Sequence, residues 1–285
     1  NLEIAAAREI IHFHTLFNVL LAIIFLPLVN KVSMLCQKIA PYEEVEQNND
    51  IKPLYLDETS LESPTIALAG AGRETLRVAN IVEKMFADTI TALKNEDMDM
   101  IAHIKEADDS VDTLHNKIKL YLTRVNEEAL DPKESDRFVQ ILGFSTNLEH
   151  IGDIIDKSLT GLIETKIQQQ KRFSTEGFKE IQSFHQTILN NMKIAQAIFM
   201  SEDPKLARQL VEGKTNVRKA AQESAERHFQ RLREGVPETH LTSALHTDII
   251  RDFKRINSYI TTVAYSILDN AEMHKDSRKD NTSEE

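Results

Sequence analysis

From Thr65 to about His274 the chain repeats apolar residues at intervals of three and four, with few residues able to stop a helix. That spacing lays one apolar seam along a helix, and long antiparallel helices bury such seams in bundles. Ile104, Ala107, Val111, Leu114, Ile118 and Tyr121 form one seam. Phe138, Ile141, Ser145, Leu148, Gly152, Ile155, Leu159 and Leu162 form another. Breaks fall at Asn95-Glu96-Asp97, Asp131-Pro132, Ser174-Thr175, Asp203-Pro204 and Gly235-Val236-Pro237. Proline just inside a helix start and glycine just past an end are the expected punctuation. The pattern predicts six helices over 65–94, 97–126, 133–170, 174–201, 204–233 and 239–273. With 8 Gly, 7 Pro and no Trp, the chain lacks the turn residues and aromatics of an all-β fold. The fold class expected is all-α.

The helical region contains a repeat. A shift of about 106 residues lays the second and third helices on the fifth and sixth. Asn95-Glu96-Asp97 then falls on Ser201-Glu202-Asp203, and Val111 on Val217. With one residue deleted in the loop, NLEHIGDII (147–155) falls on DFKRINSYI (252–260). Two tandem three-helix units are the economical reading.

Chemistry gathers on the second and third helices. Asp108 and Asp112 are spaced i,i+4, as are Glu149 and Asp153, so each pair shares one helix face. Each acid sits one position past its apolar seam. If the two helices pack side by side, four carboxylates converge and repel unless protonated or bridged by a cation. Oxygen donors suit Mg²⁺ or Mn²⁺, and also iron. The spacing alone is weak evidence, because Glu127/Asp131 and Asp248/Asp252 share it on a chain with 45 acids. A solvated acidic face explains most such pairs. In the second repeat the equivalent positions are Lys214, Arg218, Lys254 and Ser258. The acids are replaced by three cations and a hydroxyl, which removes any metal site of this kind there.

Ahead of the helical region lies Ile10–Val29, an apolar run interrupted after Leu16 only by Asn18 and Pro27. Roughly 20 apolar residues span a hydrocarbon core of about 30 Å, so a transmembrane helix is expected within residues 1–40. The run has no basic start and no cleavage site for a signal peptide. His12, His14 and Asn18 would then be polar groups at membrane depth, which usually face neighbouring helices, and His14, Phe17 and Asn18 are the expected helix-packing positions. Because the chain opens on Asn1 within helical sequence, an upstream remainder of the protein is expected. Residues 41–64, with three prolines and many acids, read as a linker, and 275–285 as a disordered, charged tail. A formal net charge of −11 argues against nucleic-acid binding. The single cysteine, Cys36, allows no internal disulfide. No nucleophilic constellation or phosphate-binding loop appears, so no enzyme activity is expected.

The string AREIIHFHTLFNVLLAIIFLPLV resembles the closing membrane helix of the bacterial type II sodium/phosphate symporters, at His14, Leu16, Phe17, Asn18, Leu26 and Pro27. Tyr55-Leu56-Asp57, Ser63-Pro64 and Arg73-Glu74 to Arg77 resemble that family's junction. Residues 65–274 are similar to a PhoU domain, which has two three-helix repeats and an acid-x-x-x-Asp motif in its metal-binding repeats. Glu149 and Asp153 match that motif, and Asp108 and Asp112 its partner.

The resemblance implies a plasma (inner) membrane protein with a cytoplasmic, regulatory PhoU-like domain. The intact protein would couple sodium flow to uptake of inorganic phosphate, through ligands outside this chain. The lipid bilayer, the upstream transporter domain, phosphate and sodium are the implied partners, and a homo-oligomer is compatible with the sequence. Two other readings stay open: a membrane-tethered PhoU-like signalling protein without transport, and a carboxylate-metal enzyme or metal store on a helical bundle.

Overall fold

The computed structural model describes residues 2–25, 51–125 and 130–282, and it separates into two units, 1–50 and 51–285. In the first unit, helix α1 spans Leu2–Phe25. The Asn18 side chain finds its partners within α1. Its Nδ2 lies 2.8 Å from Nδ1 of His14 and donates to the His14 carbonyl at 2.9 Å. Phe17 stacks on Phe13 with centroids 6.3 Å apart.

The expectation of a membrane span, and with it the plasma-membrane placement, is corrected here. Among the described residues no helix is long and apolar enough to cross a membrane. The reason lies in the first half of α1, which carries Glu3, Arg8, Glu9, His12 and His14. Only Leu16–Phe25 is nearly continuous apolar sequence, and Leu26–Val29 lie outside the described residues.

In the second unit every described element is helical. A 3₁₀ turn, Glu58–Glu62, leads into α2 (Pro64–Asn95), α3 (Met98–Leu122) and α4 (Pro132–Asp153). A π-helical turn, Ile154–Leu159, joins α4 to α5 (Thr160–Gln168). Then come α6 (Thr175–Ser201), α7 (Pro204–Arg233) and α8 (Pro237–Thr282). The third expected helix is thus broken by the π turn, giving seven α-helices in this unit among the described residues instead of six. Helix α8 also continues beyond position 274, where the apolar anchors end.

The repeat is visible in the backbone. Glu96 and Glu202 both close a helix in the left-handed region, with φ of 59° and 52°. The aspartate after each caps the next helix: Asp97 accepts from the Met100 amide, and Asp203 from that of Lys205. Such side-chain caps satisfy amides that the first helical turn leaves without partners. Asp131 and Glu134 form a reciprocal capping box at the start of α4.

Helix α2 packs on α3, α4 and α6, while α8 packs on α6, α7 and α4, so the two three-helix units share one core. Phe86 sits in its middle, stacked on the His185 ring (4.3 Å) and edge-on to Phe253 (5.2 Å). The connector is held down by Glu74, wholly buried, which accepts from the amides of Leu54 and Tyr55 and from Arg77. Gly70 permits this approach, since a Cβ there would lie 2.4 Å from the Tyr55 carbonyl oxygen.

One ion cluster ties α6 to α7. Glu180 accepts from Arg231 through both oxygens (2.9 Å each), from Arg227 (2.7 Å) and from Ser224 (3.1 Å). Burial pushes this carboxyl up, but His246, Arg231 and Arg227 outweigh burial and hold it well below the usual range. Breaking a buried pair from one side leaves an uncompensated charge. Glu180→Ala is therefore expected to destabilise the chain by about 3 kcal/mol in urea unfolding, with no effect on the α3/α4 carboxylates. A loss below about 0.5 kcal/mol, typical of an exposed surface change, would contradict this assignment.

Candidate metal centre

Helices α3 and α4 lie side by side, and the acids expected to converge are on their facing surfaces. Asp108, Asp112 and Asp153 each present an oxygen, and these oxygens lie within 4.8 Å of one another. Glu149, the fourth expected member, is not in that group. Its carboxylate pairs with Nδ1 of His150 (2.7 Å), yet it still raises the Asp112 carboxyl electrostatically. His150 in turn lies against the Tyr259 ring, at 5.3 Å.

Asp108 is the buried member, 5 % exposed, and its Oδ1 has no hydrogen-bond partner. It fits because position 152 has no side chain. A Cβ on Gly152 would sit 2.4 Å from Asp108 Oδ1 and 3.5 Å from Val111. The glycine in the apolar seam is thus the recess that receives the carboxylate. Burial, then Asp112, Asp156 and Asp153, push the Asp108 carboxyl up to about 7, against the pull of Lys157. Asp112 is raised by burial, then by Glu149 and Asp153.

Two participants were not legible as such in the sequence. Asp156 lies in the π turn directly after α4, its Oδ1 is buried without a partner, and burial raises its carboxyl. Lys157 pairs with Asp153, four residues earlier, and supplies the local positive charge. The i,i+3 relation of Asp153 to Asp156 was a usable signal. The π turn that re-aims the latter was not, although single π turns recur at functional sites.

This donor set fits a hard divalent cation. It offers carboxylate oxygens from two facing helices, an orphaned buried oxygen and strong mutual repulsion. Asp108, Asp112 and Asp153 would hold the ion, with Asp156 and Glu149 beside them. Among the described residues no such group forms around Lys214, Arg218, Lys254 and Ser258 in the second repeat.

The raised Asp108 has a sign that can be checked. An acid whose folded pKa exceeds its unfolded value near 3.9 binds more protons when folded, so its contribution to stability falls as pH rises from about 4 to 7. Three buried histidines, His115, His185 and His228, are lowered chiefly by burial and act in the opposite sense below about pH 6.5. The variant Asp108→Asn separates the two. In metal-free protein its stability relative to the native chain should be greater at pH 8 than at pH 5.5 by roughly 2 kcal/mol, read by chemical unfolding. A difference that does not change with pH would contradict the burial of a charged Asp108.

Comparison with known proteins places this geometry. Residues 75–157 match the PhoU domain family model, a segment that includes Asp108, Asp112, Glu149, Asp153 and Asp156. The chain is 32 % identical over 268 residues to YjbB of Escherichia coli K12, whose name proposes inorganic phosphate export. That alignment takes in 94 % of this chain and 49 % of the relative, so the chain spans about half the length of that relative. It is 27 % identical over 148 residues to the phosphate-specific transport system accessory protein PhoU of Escherichia coli K12, covering 49 % of this chain and 61 % of that protein. Among solved structures, PhoU of Pseudomonas aeruginosa superposes with a TM-score of 0.64 at 18 % identity, covering 70 % of this chain and 95 % of that one. PhoU from Streptococcus pneumoniae gives 0.62 at 14 % identity, covering 72 % and 95 %. The fold is therefore PhoU-like, and the sequence relation is to phosphate-related PhoU-domain proteins. The expected assignment to the type II sodium/phosphate symporters is not supported by these relatives.

Proposed function

We propose that this chain is a regulatory, metal-binding helical domain serving inorganic-phosphate transport, and that it is not an enzyme. The observation that carries the reading is the position of the acidic cluster, which lies wholly inside the segment matching the PhoU domain. Similarity to an accessory protein of a phosphate transport system supports the regulatory role. Similarity over 94 % of the chain to a protein named for phosphate export supports the link to phosphate movement. In this reading translocation belongs to the part of such relatives that the chain does not match. Sodium coupling is the finer form of the proposal, and the name of the relative makes the direction of flux a matter for measurement.

The metal, Mg²⁺, Mn²⁺ or iron, would be held by Asp108, Asp112 and Asp153. When bound it would supply the positive charge that lets α3 and α4 keep their acids together. Lys157 holds Asp153 from the other side, and Gly152 keeps the Asp108 carboxylate in place. A regulatory site of this kind should alter flux without abolishing folding.

The test is labelled-phosphate flux in cells lacking their own phosphate transporters and expressing the full-length protein, with and without sodium. Asp112→Asn with Asp153→Asn is expected to change the flux by about fivefold or more at equal protein level, the size of an ordinary regulatory coupling. Equal flux in native and variant cells would contradict a regulatory role for the cluster. A flux indifferent to sodium would remove the sodium-coupled form alone.

A further inference from the structure

The second repeat keeps the helix pair and reverses its charge. At the position that corresponds to the acid cluster, a cavity of about 200 Å³ opens between α7 and α8. Lys214, Thr215, Arg218, Lys254, Asn257 and Ser258 line it, over a floor made by Val217. Val217 is the buried counterpart of Val111, which floors the acid cluster. Lys214 and Arg218 occupy the positions of Asp108 and Asp112. Lys254 and Ser258 occupy those of Glu149 and Asp153, and Asn257 replaces Gly152.

Every polar side chain in this lining can donate a hydrogen bond, and none is an acid. Lys214 and Arg218 are like charges at i,i+4, an arrangement that destabilises a helix unless something neutralises it. Among the described residues neither Arg218 nor Lys254 has a carboxylate partner within salt-bridge distance, on a chain whose net charge is −11. The nearest buried acid on α8, Asp252, is engaged by Arg255, Arg251 and Ser158. Other groups of the lining are fixed by their neighbours. Lys214 lies over the Tyr265 ring at 5.3 Å and donates to its hydroxyl at 3.5 Å. The Asn257 Oδ1 accepts from Asn191 (2.8 Å), which leaves its Nδ2 as a donor. Ser258 donates to the Lys254 carbonyl at 3.0 Å, so its oxygen lone pairs are available to accept from an acidic hydroxyl.

We propose that this cavity is a binding site for inorganic phosphate. Three cations more than offset a dianion, Thr215 and the Asn257 amide add donors, and Ser258 provides the acceptor that a protonated phosphate oxygen needs. The volume, below the roughly 300–1,000 Å³ of sites for drug-sized ligands, suits a small oxyanion. The choice of phosphate among oxyanions rests on the proposed role in phosphate transport, while the anion site itself stands on the lining alone. On this reading one fold carries a cation site in its first repeat and an anion site in its second.

The test is calorimetric titration of the purified, metal-free chain with inorganic phosphate, and in parallel with sulfate and glycerol phosphate. Saturable phosphate binding is expected, weakened about tenfold or more by Arg218→Gln and by Lys254→Gln, since each removes a charge-assisted hydrogen bond. Lys117→Gln, an exposed cation on α3, should leave it unchanged. Asp112→Asn with Asp153→Asn should also leave phosphate binding intact, so failure of the metal reading and failure of this one are told apart. Absence of saturable binding, or binding that survives both basic-site variants, would overturn the site. Equal or tighter binding of sulfate or glycerol phosphate would overturn its assignment to inorganic phosphate.

Discussion

Carboxylates held within 4.8 Å of one another repel, and burial strengthens that repulsion because water no longer screens it. The architecture of α3 and α4 can be read as the set of features that tolerate this. Gly152 gives the Asp108 carboxylate a recess that any other residue would fill. Lys157 leans back on Asp153 from the π turn. Burial first, and then the repulsion that is left, push the Asp108 carboxyl up to about 7, and the buried oxygens of Asp108 and Asp156 stay without partners. Such unsatisfied buried atoms are uncommon in native interiors, and here two fall in one cluster.

The duplication explains why the strain is confined to one half. Both repeats use the same turn, a left-handed glutamate followed by an aspartate cap, and both floor their sites with a buried valine. What differs is the charge presented at equivalent positions. The halves are also joined close to both sites. Ser158, in the π turn, donates to Asp252 on α8 at 2.5 Å, two residues before Lys254, and Asn147 donates to Thr262 at 2.6 Å.

Much of this was legible in the sequence. The 3–4 seams and the Asp-Pro, Ser-Thr and Glu-Asp breaks located the bundle helices within a few residues, because those signals are local. The convergence of Asp108, Asp112 and Asp153 followed from i,i+4 spacing beside a seam on neighbouring helices. Glu149 has the right spacing, but its side chain pairs with His150 and lies outside the group of three. The π turn at Ile154–Leu159 was not legible, since the sequence IIDKSL contains no proline or glycine to mark it. The membrane reading weighed the apolar total of residues 10–29 and gave too little weight to the charges in the first half of α1. The reversal of charge between the repeats was visible in their alignment, while the cavity lined by Lys214, Arg218 and Lys254 exists only in the fold.

The central claim is that the α3/α4 carboxylates exist to hold a cation. Its most direct test is the metal content of the purified chain, by mass spectrometry, after loading with Mg²⁺, Mn²⁺ or Fe²⁺ and removal of excess ion. The account predicts stoichiometric metal in the native chain, lost when Asp112 and Asp153 are both changed to Ala while the fold persists. A native chain that retains no metal, or a variant that retains as much, would contradict it.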